Sequence, residues 1–218
     1  MELITDFPVA IDSPDHLAPH GTANDNNSSP ELIRELREYF GKSYSMIDMG
    51  CAGGQFTIDA FKAGNLAVGI DGSDYCARHG KFNWPEYHNS LLFTCDASRP
   101  FEFRQSHDGE IIKFDCISTW EFLEHIHPDR IDTLLENIVK HMHKDSIFIG
   151  QYALTPDVPG STMACQKAGI PFIELHQCVQ TIEWWNAKFA QFFSVSKPYP
   201  FNGGVREEGQ SIRYFLQL

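Results

Sequence analysis

The stretch Ser45-Met46-Ile47-Asp48-Met49-Gly50-Cys51-Ala52-Gly53-Gly54-Gln55-Phe56 decides how the rest of the 218-residue chain is read. It starts as a short apolar run with a β-branched residue, the pattern of a parallel strand buried on both faces. It breaks at glycines and resumes as a helix through Phe56, Ile58, Ala60 and Phe61. Strand, glycine turn and helix make half of a parallel crossover. Gly50 and Gly54 can take backbone angles closed to other residues, and a ligand can lie directly on such a main chain. The helix that follows turns its free N–H groups toward whatever fills the turn.

A dinucleotide fingerprint, G-x-G-x-x-G, needs glycine at positions occupied by Ala52 and Gln55, and so fails. The pattern D-x-G-x-G-x-G fits as Asp48, Gly50, Ala52 and Gly54, with the middle glycine replaced. The stretch therefore resembles the first motif of the class I S-adenosylmethionine-dependent methyltransferases. That resemblance implies a doubly wound, seven-stranded, mostly parallel α/β sheet with a C-terminal antiparallel hairpin. It also implies S-adenosylmethionine lying along Gly50, Cys51, Ala52, Gly53 and Gly54. A ligand-free glycine turn is the bland alternative.

The whole chain narrows the function classes. Its length suits one well-buried domain. With 17 basic against 29 acidic residues and a formal net charge of −12, the surface repels phosphate backbones, so nucleic acid is disfavoured as a partner. A small molecule or glycan unit is the expected acceptor. The six cysteines never form C-x-x-C and mostly lie in apolar runs; buried thiols are expected, without a zinc ribbon or disulfide framework. No signal-peptide pattern or bilayer-length apolar run is visible, so a cytoplasmic protein with no membrane span is expected.

Residues 1–29 are rich in Asp, Asn, Ser, Pro and His and read as a flexible arm that orders over a filled site; residues 30–218 form the domain. Ser28 or Ser29 caps a helix, with Pro30 in its first turn, Glu31 completing a capping box with Ser28, and Gly41 at its end. A second buried strand, Leu66 to Asp71, ends in an acid followed by Gly72. Asp71 stands near the offset of about 20 residues at which a carboxylate takes ribose hydroxyls; capping the next helix is its alternative role. A third strand, Leu91 to Asp96, also ends in an acid. The resemblance assigns Asp96 and the Ala97 backbone to adenine, where an ordinary turn is the alternative.

Phe114 to Thr119 is a fourth strand, and Ile131, Leu134, Leu135, Ile138, Val139 and Met142 follow helical spacing. His141 and His143 at that helix's C-terminal end are expected on the surface. Ser146 to Tyr152 is a fifth strand, and Thr155 to Pro171, with its prolines and glycines, reads as a long functional loop. A helix near Glu183–Phe193, a strand start near Val195, a turn at Asn202-Gly203 and a strand through Ile212–Gln217 complete the chain.

The acceptor side should lie past the ends of the fourth and fifth strands. Glu121, Glu124 and His125 stand there, and on a helix they would share one face. Two carboxylates so placed repel unless something positive sits between them, and a divalent cation is a candidate. Here the chain resembles the ubiquinone-pathway O-methyltransferases and the small-RNA terminal 2′-hydroxyl methyltransferases, which carry E-x-x-E-H after strand four and a later histidine. The residues are Glu121-Phe122-Leu123-Glu124-His125 and His176. The resemblance implies that these four hold a metal, magnesium or manganese among the candidates, that lowers the acceptor hydroxyl's pKa. The alternative is a metal-free enzyme in which Glu124 stitches the loop and His125 is a catalytic base. Trp120 is expected beside the cofactor or acceptor, with core packing as its commoner fate. Rival functions are a metal-free N- or C-methyltransferase and a catalytically silent, cofactor-binding partner subunit.

Overall fold

In the computed structural model, which describes residues 1–205 and 211–218, the quoted stretch folds as its pattern dictates. The elements run β1 (Glu2–Thr5), α1 (Pro14–Leu17), α2 (Gly21–Asn24), α3 (Pro30–Phe40), β2 (Ser45–Met49), α4 (Gln55–Lys62), β3 (Leu66–Asp71), α5 (Tyr75–Arg78) and α6 (Trp84–Tyr87). They continue through β4 (Leu92–Thr94), β5 (Phe101–Arg104), β6 (Phe114–Trp120), α7 (Ile131–Lys140), β7 (Met142–Ala153), α8 (Val158–Ala168), α9 (Ile182–Phe189), β8 (Val195–Lys197) and β9 (Ser211–Gln217). Seven strands form one sheet in the order β4-β3-β2-β6-β7-β9-β8. The pairings from β4 to β7 are parallel; β9 runs antiparallel to both β7 and β8. This is the expected doubly wound sheet with its C-terminal antiparallel hairpin. Chain order reverses between β2 and β6, so the crevice for a ligand opens there.

Side-chain alternation on β2 fills both layers. Met46 packs with Leu32, Ile33, Leu36 and Phe56 from α3 and α4, whereas Ile47 faces Leu134, Leu135 and Ile138 of α7. Ser29 caps α3 by accepting the Leu32 N–H at 3.3 Å, and Gly41 ends it in the left-handed region at φ 65°. The expected capping box with Ser28 does not form: the Ser28 hydroxyl donates to the Asp59 carboxylate at 2.6 Å instead. All six cysteines are buried thiols. Among the described residues no helix is long and apolar enough to cross a membrane.

Two further places differ from the sequence expectation. Within Thr155–Pro171, residues 158–168 are helical, because Asp157 accepts the Gly160 N–H at 3.0 Å, Pro159 sits in the first turn and Gly169 ends the helix at φ 69°. The prolines and glycines thus punctuate a helix rather than a loop. His141 is fully buried, not on the surface: its Nε2 accepts the Phe103 N–H at 3.0 Å and its ring stacks on Phe101. Burial lowers its pKa to about 4, which keeps the imidazole neutral.

Residues 1–29, expected as an arm over the site, carry β1, α1 and α2. They are laid along the carboxyl ends of the sheet strands. β1 pairs with β5, the Ala10 N–H donates to the Gly72 carbonyl at 2.8 Å, and the Asp96 N–H donates to the Phe7 carbonyl at 3.0 Å. Ala10, Ala18 and Ala23 of this segment are buried. Small, irregularly spaced apolar residues anchor it, which explains why no periodic signal marked it.

The two central strands are also tied by a buried polar pair. The Ser118 hydroxyl on β6 donates to Asp48 Oδ1 on β2 at 2.7 Å. Burial raises the Asp48 pKa to about 7, against the opposing pull of the Ser118 bond and helped by the charge of Asp71. The folded chain therefore keeps a proton that the unfolded chain loses from about pH 4 upward. Stability from this group falls as pH rises from about 4 to 7, by up to about 1.4 kcal/mol per pH unit. Asp48→Asn removes the titration, so its stability relative to wild type should climb across that window and level off above it. Denaturant unfolding of both proteins from pH 4.5 to about 8.5 measures this; parallel profiles would contradict it.

Candidate functional site

The carboxyl ends of β2, β3, β6 and β7, with residues 10–25 folded over them, enclose a cavity of about 740 Å³. The glycine turn forms one wall. Gly50 and Cys51 both donate N–H to the Ile70 carbonyl, at 2.8 and 3.0 Å. Ala52, standing where the motif has glycine, sits in the left-handed region at φ 46°. Its N–H donates to Asp71 Oδ2 at 2.9 Å, which holds a conformation that an alanine otherwise avoids. Of the turn, Gly50 and Ala52 face the cavity. Cys51 packs inward with Ile58, Cys76, Trp84 and Leu92. Gly53 lies under Asn26, and Gly54, at φ 85°, lies against Leu92. The first N–H of α4, from Gln55, is taken by Asn26 Oδ1 at 3.1 Å.

Asp71, Gly72, Asp96 and Ala97 line the same cavity, and so does Trp120. Asp71 is buried and receives three hydrogen bonds: Ala52 N–H, Ser73 N–H at 2.9 Å and the Thr22 hydroxyl at 3.2 Å. Burial nevertheless raises its pKa to about 6. Asp96 accepts the Ser98 N–H and hydroxyl at 3.0 and 2.6 Å, and Arg130 lies 3.6 Å from its other oxygen. Arg130 in turn grips Asp12 at 2.6 Å. Asp48 lies beneath this wall, not on it. Trp184 and Trp185 are not in the cavity; Trp185 is core, stacked among Tyr152 and Phe189. Trp120 lines the cavity while packing edge-on against Phe56 and Tyr199.

A second cluster stands at the end of β6. After Trp120 the chain enters the left-handed region at Glu121, φ 51°, then a 3-10 turn over Leu123–His125. The expected helix through Glu121, Glu124 and His125 is therefore absent, and the three do not share a helical face. Glu124, His125 and His176 each offer a ligand atom within 4.8 Å of the others. His125 and His176 meet edge to face, ring centroids 4.8 Å apart. Glu121 stands outside this trio: its Oε1 accepts from the Gln151 side-chain amide at 2.8 Å. Of the four residues expected to converge, three do so.

The remaining bonds of the trio define what is left over. Glu124 is fully buried; Oε1 accepts the Ala153 N–H at 3.1 Å, while Oε2 is buried with no hydrogen-bond partner. His176 Nδ1 bonds the Thr155 carbonyl at 2.7 Å, and His125 Nδ1 bonds Asp15 Oδ2 at 2.9 Å. Each imidazole so keeps Nε2 uncommitted. Burial pushes the Glu124 carboxyl up, His125 pulls it back and neighbouring Glu121 adds to the rise. For His125 burial acts downward, but the charge and hydrogen bond of Asp15, with Glu124 and Glu121 behind it, win and raise it.

Sequence reasoning missed Asp12, Asp15, Thr22 and Arg130. Arg130 follows a Pro-Asp helix start and carried no motif; the other three sit in the segment without periodicity.

A family model described as a methyltransferase domain matches residues 24–196. No curated protein matches the chain. Among solved structures the chain is similar to a TehB-like S-adenosylmethionine-dependent methyltransferase from Corynebacterium glutamicum, at 12% identity and TM-score 0.57, covering 90% of this chain and 91% of that one. It is similar also to magnesium protoporphyrin IX methyltransferase from Synechocystis with bound S-adenosylhomocysteine, at 15% identity and TM-score 0.51 over 85% and 81% of the two chains. A third is the glycopeptide N-methyltransferase MtfA complexed with S-adenosylhomocysteine, at 11% identity and TM-score 0.54 over 86% and 89%. At such identities the likeness is one of fold. The domain match, which spans most of the sequence, places the chain in the methyltransferase domain family, as an S-adenosylmethionine-dependent enzyme.

Proposed function

We propose that the chain transfers the methyl group to a hydroxyl of a small molecule or glycan unit, with a divalent metal held by Glu124, His125 and His176. The observation that carries this is the fully buried Glu124 carboxylate, whose Oε2 has no partner and which stands with two imidazoles inside one 4.8 Å cluster. An unpartnered buried carboxylate oxygen costs free energy that a cation would recover. One carboxylate with two imidazoles suits manganese, iron, cobalt or zinc better than magnesium. When bound, such an ion lowers the pKa of an acceptor hydroxyl.

The cofactor supplies an electrophilic methyl on a sulfonium centre; the chain's task is to orient it. In this reading Asp71, at the end of β3, would accept from ribose hydroxyls, since its buried carboxylate retains acceptor capacity beyond the three bonds it already takes. Asp96, Ala97, Gly50 and Ala52 line the same cavity; in this reading Asp96 and the Ala97 backbone would meet the adenine, and Gly50 and Ala52 would let the cofactor approach the main chain. Trp120 and Phe122 supply apolar wall on the acceptor side, which excludes water from the reacting centre. Residues 1–29 cover this cavity, and we take their closure to accompany cofactor binding. The −12 charge favours an uncharged or cationic acceptor over RNA.

A second reading has His125 alone accept the acceptor's proton, and the Asp15 hydrogen bond at 2.9 Å favours it. Against it, the surrounding carboxylates raise the His125 pKa, so the ring holds a proton at neutral pH until a positive charge arrives beside it.

Calorimetric titration with S-adenosylhomocysteine tests the cofactor assignment. Asp71→Ala should weaken binding by about 1.5–3 kcal/mol; unchanged affinity removes Asp71 from the ribose site. Titration with manganese tests the metal assignment. His176→Ala should weaken manganese binding at least tenfold and leave S-adenosylhomocysteine affinity intact, because the two residue sets do not overlap. Undiminished methyl transfer after exhaustive chelation would leave the His125 base as the surviving reading.

A further inference from the structure

We infer that Asp15, carried on the N-terminal segment, is a positioning residue for His125, so that this segment belongs to the reaction centre itself. The inference rests on the reading of His125 as a working residue and adds to it a group from the opposite end of the chain. Asp15 Oδ2 meets His125 Nδ1 at 2.9 Å across 110 residues of sequence. Both side chains are about four-fifths shielded from solvent, at 22% and 21% exposure, which separates the pair from a surface ion pair.

Geometry makes the contact directional. With Nδ1 donating to Asp15, the orientation of the His125 ring is fixed and Nε2 is left as its uncommitted nitrogen, in the cluster that His125 forms with His176 and Glu124. A ligating or proton-accepting imidazole needs this partner on its second nitrogen to set tautomer and ring angle. His176 is held in the same manner, by the Thr155 carbonyl on Nδ1. The two histidines are thus each anchored through Nδ1, one by the sheet side and one by the N-terminal segment. Asp15 is itself braced on both sides. Toward the N-terminus, Arg130 binds Asp12 and Ala10 N–H binds the Gly72 carbonyl; toward the C-terminus, Thr22 donates to Asp71. The segment that touches the proposed ribose acid therefore also carries the carboxylate that aims His125.

The test compares wild type with Asp15→Ala, Asp15→Asn and Asp15→Glu, and uses His125→Gln for assignment. An imidazole N–H bonded to a carboxylate gives a proton resonance well downfield of the amides. Wild type should show one that disappears in His125→Gln and Asp15→Ala, shifts upfield in Asp15→Asn and returns in Asp15→Glu. Zinc affinity, read by competition with a chromophoric chelator, should fall about 10–100-fold in Asp15→Ala and recover largely in Asp15→Glu. S-adenosylhomocysteine affinity should stay within about threefold throughout, which a general loosening of the segment would not allow. If Asp15→Ala fails to fold, Asp15→Asn decides in its place, since it keeps shape and loses only charge. A downfield signal that is missing from wild type or survives in Asp15→Ala overturns the inference. So does wild-type zinc affinity in Asp15→Ala. If wild type binds no zinc, the metal reading falls by itself, and the proton signal alone then decides the role of Asp15.

Discussion

The Asp71 carboxylate is where three separate segments meet. Ala52 brings an N–H from the glycine turn, Ser73 brings one from the loop after β3, and Thr22 brings a hydroxyl from the N-terminal segment. Each bond is worth more than a surface bond, because the group is buried and its charge is poorly solvated. The Ala52 bond has a specific task. A residue with a Cβ in the left-handed region costs on the order of 1–3 kcal/mol, and a charge-assisted hydrogen bond offsets a cost of that size. The turn can therefore dispense with its middle glycine. The Thr22 bond carries the same carboxylate into the covering segment, so the wall and the roof of the cavity share one anchor.

How much of this was legible in the sequence depended on periodicity. β2, β3 and β6 are apolar runs that end at, or just before, a Gly or an acid, β7 carries the buried run Ile147-Phe148-Ile149, and α7 repeats Ile131, Leu134, Leu135 and Ile138 on one face; these patterns are written by burial itself. The antiparallel β9 was legible for the same reason. His141 was misjudged because its C-terminal helix position pointed to solvent, whereas tertiary packing beneath Phe101 and Phe103 overrode that local signal. Residues 158–168 were misjudged because proline and glycine were weighed as breakers when their positions at the first turn and just past the last one are helix-compatible. The candidate site was half legible. Asp71, Asp96 and the glycine turn follow from strand ends, but the left-handed step at Glu121 leaves no mark in composition. That step leaves Glu121 beside Glu124 and His125 but outside the tight trio with His176. Asp15 and Thr22 were beyond reach for a further reason: their contacts cross most of the chain.

Charge explains why these parts belong together. Asp15, Glu121 and Glu124 surround His125, and Asp71 lies along the same cavity wall. Two like charges about 4 Å apart repel by roughly 4 kcal/mol at an effective dielectric of 20, more than any one hydrogen bond in the cluster returns. The chain relieves this with protons. Burial raises the carboxyl group of Glu124 to about 8, and the imidazole of His125, raised to about 9, is held as a cation. Arg130, shared between Asp12 and Asp96, is the fixed positive charge at the far side. Protons are an interim solution, because each protonated carboxyl loses acceptor strength where a ligand would need it. The sulfonium centre of the cofactor is a cation, and its entry would favour the ionised carboxylates around it. An acid-lined cavity that is self-repelling without cations is thus preorganised for a cationic cofactor.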